Sequence, residues 1–421
     1  MNSAVAVALL LAFALPAQSR PALEELTEVW PSGTRKARYA IDSDGRKTGQ
    51  FQGWHENGKL SERAWYRAGV LEGLHETFHA DGGLARRETV KGGIREGDCL
   101  ERTADGAQEI RSKWQAGRQH GKCEVVEQGR LAWLQEWRAG MLVQIFDVVA
   151  HPKSAAEIER TLAGIGPPRP ENTPEGALQV LQSYRYLCDL PYADLRLDAD
   201  LNRHCAAAAR LCAAIGKLDH TPENPGWPEA EYRFAFTGTS SSNLSVGTDL
   251  PGSVHSYMHD SDPTNIARVG HRRWCLNPAM LRTGFGASGG YAAMWSFDAS
   301  RSKLPEYDAV VYPPRGLLPA RYFGAGHAWS VSLNPNRFRA PDAAQAQIRV
   351  LGLDGRYLPQ GAPLEVEAVS AVTGGPGIPY CLIFRPKGQQ VAPGQRYWCE
   401  ITLLKETKQE RRTLRWLVEF F

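Results

Sequence analysis

Glycine recurs at a fixed interval in the first third of the chain, and that interval limits what the segment can fold into. Gly49, Gly73, Gly97 and Gly121 are 24 residues apart. Gly58, Gly82 and Gly106 keep the same spacing, as do Gly69, Gly93 and Gly117. Each unit reads as a short strand, a turn, a returning strand and a second turn. In the first unit these are Gln50–Glu56, Asn57-Gly58, Leu60–Tyr66 and Ala68-Gly69. Asn-Gly is a strong hairpin signal because two-residue hairpin turns need positive φ. A lone hairpin cannot bury its face, so stacked copies in one elongated antiparallel sheet are expected. Phe51, Trp54, Trp65, Tyr66, Phe78, Trp114, Trp133 and Trp137 would form its apolar ladder. Cys99 and Cys123 hold the same slot in successive units and are expected to be neighbours able to form a disulfide. Residues 49–145 carry 14 Lys+Arg and 14 Asp+Glu, so a basic, lipid-binding face has no support there.

The longest apolar run, Ala4 to Leu15, is twelve residues, short of the roughly 20 that span a bilayer. Pro16 and the small-x-small pattern Ala17-Gln18-Ser19 follow it, which reads as a signal peptide cleaved near Ser19, although no Lys or Arg precedes the run. The expectation is a secreted or periplasmic protein without a transmembrane segment. Export permits disulfides among the eight cysteines. No two of them form a C-x-x-C pair, so zinc-ribbon and thioredoxin chemistry are unsupported. Cys381 and Cys399 lie on consecutive candidate strands and could pair, whereas Cys205 and Cys212 are equally well explained as buried thiols. A net charge of +3, from 49 Lys+Arg against 46 Asp+Glu, is too balanced to point to nucleic acid.

The 421 residues suggest several domains. The reading is a multi-domain α+β chain: signal peptide 1–19, leader 20–48, repeats 49–145, Pro-rich linker 146–174, an α-rich block 175–298 and a β-sandwich 299–421. Within the α-rich block, Thr173-Pro174-Glu175 starts a helix running to Leu187. Asp198 caps a second helix that ends at Ile215 before Gly216. A long polar loop, a short helix around Val254–His259 and a helix from Asp262-Pro263 to Trp274 follow. Two strands, Thr283–Ala287 and Tyr291–Phe297, close the block.

The spacing and the G-x-(F/W)-x-x-(N/D)-G pattern of the first block resemble MORN-variant repeats. The order of motifs in residues 175–298 resembles the CAP superfamily, which includes cysteine-rich secretory, antigen 5 and pathogenesis-related proteins. The motifs are Tyr184-Arg185, Leu197-x-x-x-Leu201, His220, Asn243-Leu244, Tyr257-Met258, Gly270-His271-Arg272, Gly284-Phe285-Gly286 and Met294-Trp295. The resemblance implies an α-β-α sandwich holding a cleft with two histidines and two acidic residues that can bind a divalent metal. Carried over by position, the histidines are His220 and His271, and one acidic position falls on or near Asp260, with Asp262 close by. The other acidic position is Ser242, so that ligand is lost and zinc binding would be weak. Each histidine could instead be a hydrogen-bonded structural residue. Arg272 and Arg273 are expected to be structural rather than ligand clamps.

An enzyme reading has one formal motif, Gly286-Ala287-Ser288-Gly289-Gly290, which matches G-x-S-x-G. That motif needs a strand before it and a helix after it, and here a second strand follows. The sequence therefore favours a non-enzymatic binding module for a lipid, cell-envelope or protein ligand, with no cofactor required. A metal-assisted secreted peptidase or hydrolase is the alternative.

Overall fold

The computed structural model describes residues 23–421, apart from 376, 406 and 408–411. The apolar run Ala4–Leu15 and the expected cleavage near Ser19 lie outside the described residues. Two compact units are formed, Met1–Phe146 and Asp147–Phe421. Among the described residues no helix is long and apolar enough to cross a membrane.

The first unit is an antiparallel meander in which successive long strands are hydrogen-bonded neighbours. It begins at Glu24–Val29 and Arg35–Ile41, within the stretch read as a leader, and runs to Met141–Ile145. The 24-residue period has a backbone cause. Gly49, Gly73, Gly97 and Gly121 all have φ between +76° and +80°, a region costly for any residue with a Cβ. Successive turns are also tied to one another. His55 donates from Nε2 to the Phe78 carbonyl at 2.9 Å, and His79, 24 residues on, donates to Arg102 at 2.8 Å.

Aromatic ring contacts occur towards the ends of this sheet. Phe51 meets Tyr39 and Tyr66, both with ring centroids at 5.8 Å, and Trp133 meets Phe146 at 5.3 Å. Trp65 is 52% exposed. Between the two ends, the register places Glu88, Cys99, Ser112, Cys123 and Gln135 in one buried row across successive strands. That row also corrects the expected Cys99–Cys123 disulfide. Both cysteines are opposite Ser112, one from each side, because every 24-residue unit contributes two strands. The two residues are therefore two strand spacings apart, roughly 9.5 Å, beyond the span a disulfide bridges.

Among its described residues the second unit contains six α-helices: α1 (Ala155–Ile165), α2 (Pro174–Leu187), α3 (Ala199–Ile215), α4 (Glu229–Ser240), α5 (Leu250–His259) and α6 (Gly270–Cys275). The cap residues act as the sequence indicates. Thr173 accepts from the Gly176 N–H, and Asp198 accepts from Asp200 and Leu201. A three-stranded sheet runs in the order Ser242–Val246, Tyr291–Trp295, Phe285–Ser288. Along its central strand, Ala292 and Met294 join a core with Leu181 of α2 and Val254 of α5. Ala293, between them, packs with Cys205 and Ala208 of α3. This is the two-residue alternation of a strand with side chains on both faces.

Two elements differ from expectation. α4 occupies the segment read as a polar loop, and its polar face hides the periodicity. α6 starts at Gly270 instead of Asp262, because residues 262–268 are turns and Val269 sits at φ +40°.

Arg196–Leu197 and Arg282–Thr283 form a two-stranded parallel sheet, and the strands from Ala309 onward form two four-stranded sheets. Trp329 in one meets Trp416 and Tyr397 in the other, each with ring centroids 6.1 Å apart. Their apolar residues and those of α2 and α5 belong to a single continuous core. Cys381 and Cys399 lie in different sheets, Cys381 packing with Val269 and Ala328 while Cys399 faces the main core. The expected pairing is thus absent, and all eight cysteines are buried.

Candidate functional site

His220 follows the left-handed Gly216 that ends α3, and the last turn of α4 fixes it from the side. Its Nδ1 lies 2.9 Å from the Thr239 carbonyl, and the Thr239 hydroxyl donates to the His220 carbonyl at 3.3 Å. A carbonyl only accepts, so Nδ1 carries the proton and Nε2 keeps its lone pair.

His271 is set the same way by a different group. α5 ends at Asp260, whose backbone is left-handed with φ +41°. The Asp260 carboxylate takes the His271 Nδ1–H at 2.9 Å and the Arg272 backbone N–H at 3.2 Å. The Asn243 side chain donates to the His271 carbonyl at 3.1 Å, fixing the start of α6 to the sheet.

His220, Ser242 and His271 line one cavity of about 1050 Å³. The sequence-assigned positions therefore converge, including the serine that stands where the resemblance implies an acid. Asp260 does not line the cavity: its side chain is 1% exposed and both oxygens are engaged behind His271. It is an orienting group for the imidazole. Asp262 is held by the backbone and hydroxyl of Thr264 and by Asn265, and Asn265 rather than Asp262 reaches the cavity wall.

Other walls were not legible in the sequence. Trp274 and Phe297 contribute an inclined aromatic pair, ring centroids 4.5 Å apart at 31°, with Phe297 55% exposed. Residues 371–375 and Gly377 arrive from the C-terminal block, and only the run Thr373-Gly374-Gly375-Pro376-Gly377 hinted at them. Arg273 holds that loop in place, donating to the carbonyls of Ile378 at 2.8 Å and Gly374 at 2.9 Å. Gly377 has φ +67°, and a Cβ there would lie 2.5 Å from the Arg273 carbonyl oxygen. The neighbouring Arg272 is fully buried, bonded to the carbonyls of Met258, His259 and Ala328. Both arginines are structural, as their position at the helix suggested.

The chemistry available to this set is limited. Cys205 lies behind Ser242, Sγ to Oγ 3.7 Å, but burial pushes its thiol up to about 12, so it is protonated and inert at neutral pH. Ser288 pairs with Tyr291 in a hairpin through Gly289-Gly290, and no helix follows it. The two oriented imidazoles resemble metal ligands in having their Nδ1–H groups engaged. Two nitrogen donors fall short of the three protein ligands of a catalytic zinc site, and among the described residues no cluster of three or more ligating side chains occurs.

No family model matches this chain, and no curated protein matches it. A solved structure described as a cysteine-rich secretory protein from Staphylococcus aureus subsp. aureus Mu50 is similar at a TM-score of 0.19 and 12% identity, covering 61% of this chain and 82% of that one. A likeness at that score carries no argument about fold or function.

Proposed function

We propose that residues 175–298 are a CAP-type α-β-α domain, and that the chain is a secreted or cell-envelope protein whose cleft captures a ligand without cleaving it. The 24-residue hairpin repeats, of MORN-variant type, and the C-terminal β-sandwich would be non-catalytic surfaces in that protein. One observation carries the reading. His220 and His271 turn their Nδ1–H groups to Thr239 and Asp260 and line a single large cavity, while the Asp260 carboxylate sits behind an imidazole. The imidazoles could serve as bases, but a hydrolase would also need an activated water or nucleophile beside them, and Cys205 is held protonated while Ser288 lies on a hairpin turn. Export rests on the run Ala4–Leu15 and its flanking Ala17-Gln18-Ser19.

Incubating the full chain with lipid extract, peptidoglycan and casein in parallel tests the proposal. The expected result is retention of one ligand class, lost in His220→Ala, with casein intact. Zinc-dependent cleavage of casein that disappears in His220→Ala would overturn it in favour of a metal-assisted peptidase.

A further inference from the structure

The cavity that holds His220 and His271 has cationic and aromatic side chains in its walls, but among the described residues lining it there is no carboxylate. Arg268 is exposed at the wall, with no carboxylate within 4 Å among the described residues, and its guanidinium is free for a ligand. Arg273 is buried and bonded to carbonyls, so its charge is solvated but not neutralised. The nearby acids do not face into the cavity: Asp219 pairs with Lys217 at 2.9 Å, Asp262 keeps its charge but turns to Thr264 and Asn265, and Asp260 sits behind His271. The charge presented at the wall itself is therefore the exposed Arg268, which would receive an anion.

Three further features narrow the class. With Nδ1–H turned to Thr239 and Asp260, the neutral rings of His220 and His271 present Nε2 as acceptors, which match hydroxyl donors on a ligand. Trp274, half-buried, and Phe297, exposed, offer aromatic faces in an inclined pair at the wall, which match the C–H face of a pyranose. About 1050 Å³ is just above the roughly 300–1,000 Å³ of small-molecule sites, which gives room for more than one ring. A fatty acid would supply the anion but no hydroxyl donors. A nucleotide would also supply an anion and a stacking ring, but fewer hydroxyl donors than an oligosaccharide.

We propose that this cleft binds an acidic sugar, a short oligosaccharide whose carboxylate meets Arg268, whose hydroxyls meet the two imidazoles, and whose ring stacks on Trp274. The proposal deepens the binding-module reading and rests on it.

Calorimetric titration of the full chain with trigalacturonate, its fully methyl-esterified form and adenosine monophosphate tests it. Trigalacturonate should bind at least tenfold more tightly than the ester, and added salt should weaken only the charged probe. Arg268→Gln should bring the two sugars to equal affinity, and Trp274→Ala should weaken both about tenfold. Thermal melting of each variant verifies that it is folded. Equal binding of acid and ester by the wild type overturns the anionic assignment, and tighter binding of the nucleotide overturns the sugar. If neither sugar binds while the chain still retains another ligand lost in His220→Ala, the sugar falls and the binding-module reading stands. If the chain retains nothing, both fall.

Discussion

Ser242 shows what one side chain decides at this site. It opens the strand Ser242–Val246, is 3% exposed, and lines the same cavity as both histidines. A glutamate at this position would add a charged oxygen to two imidazole nitrogens. Ser242→Glu is therefore expected to tighten zinc binding about tenfold, equivalent to about 1.4 kcal/mol. His220→Ala in that background should remove the gain, because the new ligand needs its partners. Calorimetry on the three proteins measures this, and an unchanged affinity in folded Ser242→Glu would place Ser242 away from the metal-competent position. Arg272 poses a second single-residue question. Its guanidinium serves three carbonyls and the hydroxyls of Ser261 and Ser330 in a fully buried setting. Lysine cannot reproduce that planar fork, so Arg272→Lys should cost about 3 kcal/mol of unfolding free energy in urea, from carbonyls left unpaired. A loss below about 1 kcal/mol would show that the carbonyls find other partners.

Among the elements, the packing of α3 on the small sheet is the most exacting. A Cβ on Gly286 would sit 2.1 Å from the Ala206 backbone nitrogen. Helix and strand approach so closely there that only glycine fits, and the neighbouring backbone is too rigid to give. Gly286→Ala should destabilise the protein by at least about 2 kcal/mol, through forced separation of α3 from the strand. Denaturant unfolding reads this directly, and a near-neutral effect would mean the layer spacing is softer than the structure implies. The helices α2 and α3 were legible because Thr173 and Asp198 cap them and an apolar face recurs along each. α4 was not, since Ala235 is its buried apolar side chain and its rim is charged or aromatic.

Across the whole molecule, histidines in the two units respond to acid in opposite directions. In the first unit His75 bridges Glu62 and Glu88 at 3.0 Å each, and the hydrogen bond to Glu62 is the main cause that raises its pKa above 6.5. The stability it contributes is fully present below about pH 6.5 and is lost as pH rises through the raised folded value. In the second unit His327 is stacked on His259 with centroids at 4.1 Å, and burial lowers it to about 3. Its native form is neutral, so stability is retained above pH 6.5 and is lost as pH falls from there towards 3. His75→Gln should therefore lower the melting temperature more at pH 5 than at pH 8.5. His327→Gln should do the reverse, costing less at pH 5 because the acid penalty goes with the ring. Thermal melts of the full-length variants at both pH values measure the difference, and equal drops at both would remove these rings as the titrating groups.

The sequence alone determined the features that depend on local backbone chemistry. Glycines at positive φ set the 24-residue hairpin period, and Thr173, Asp198 and Gly216 marked helix ends, because a turn or cap is satisfied within a few residues. It also brought His220, Ser242 and His271 to one list, from motifs rather than geometry. Tertiary structure decided the rest. A shared repeat slot did not make Cys99 and Cys123 neighbours, since an intervening strand carries Ser112 between them. The role of Asp260 depended on the left-handed turn that points its carboxylate at His271 and not into the cavity. The loop at Gly374 to Gly377, a hundred residues from α6, reached the cleft because buried Arg273 needed its carbonyls. Buried polar groups must find partners wherever the chain brings them, and that requirement acts across distances no local pattern records.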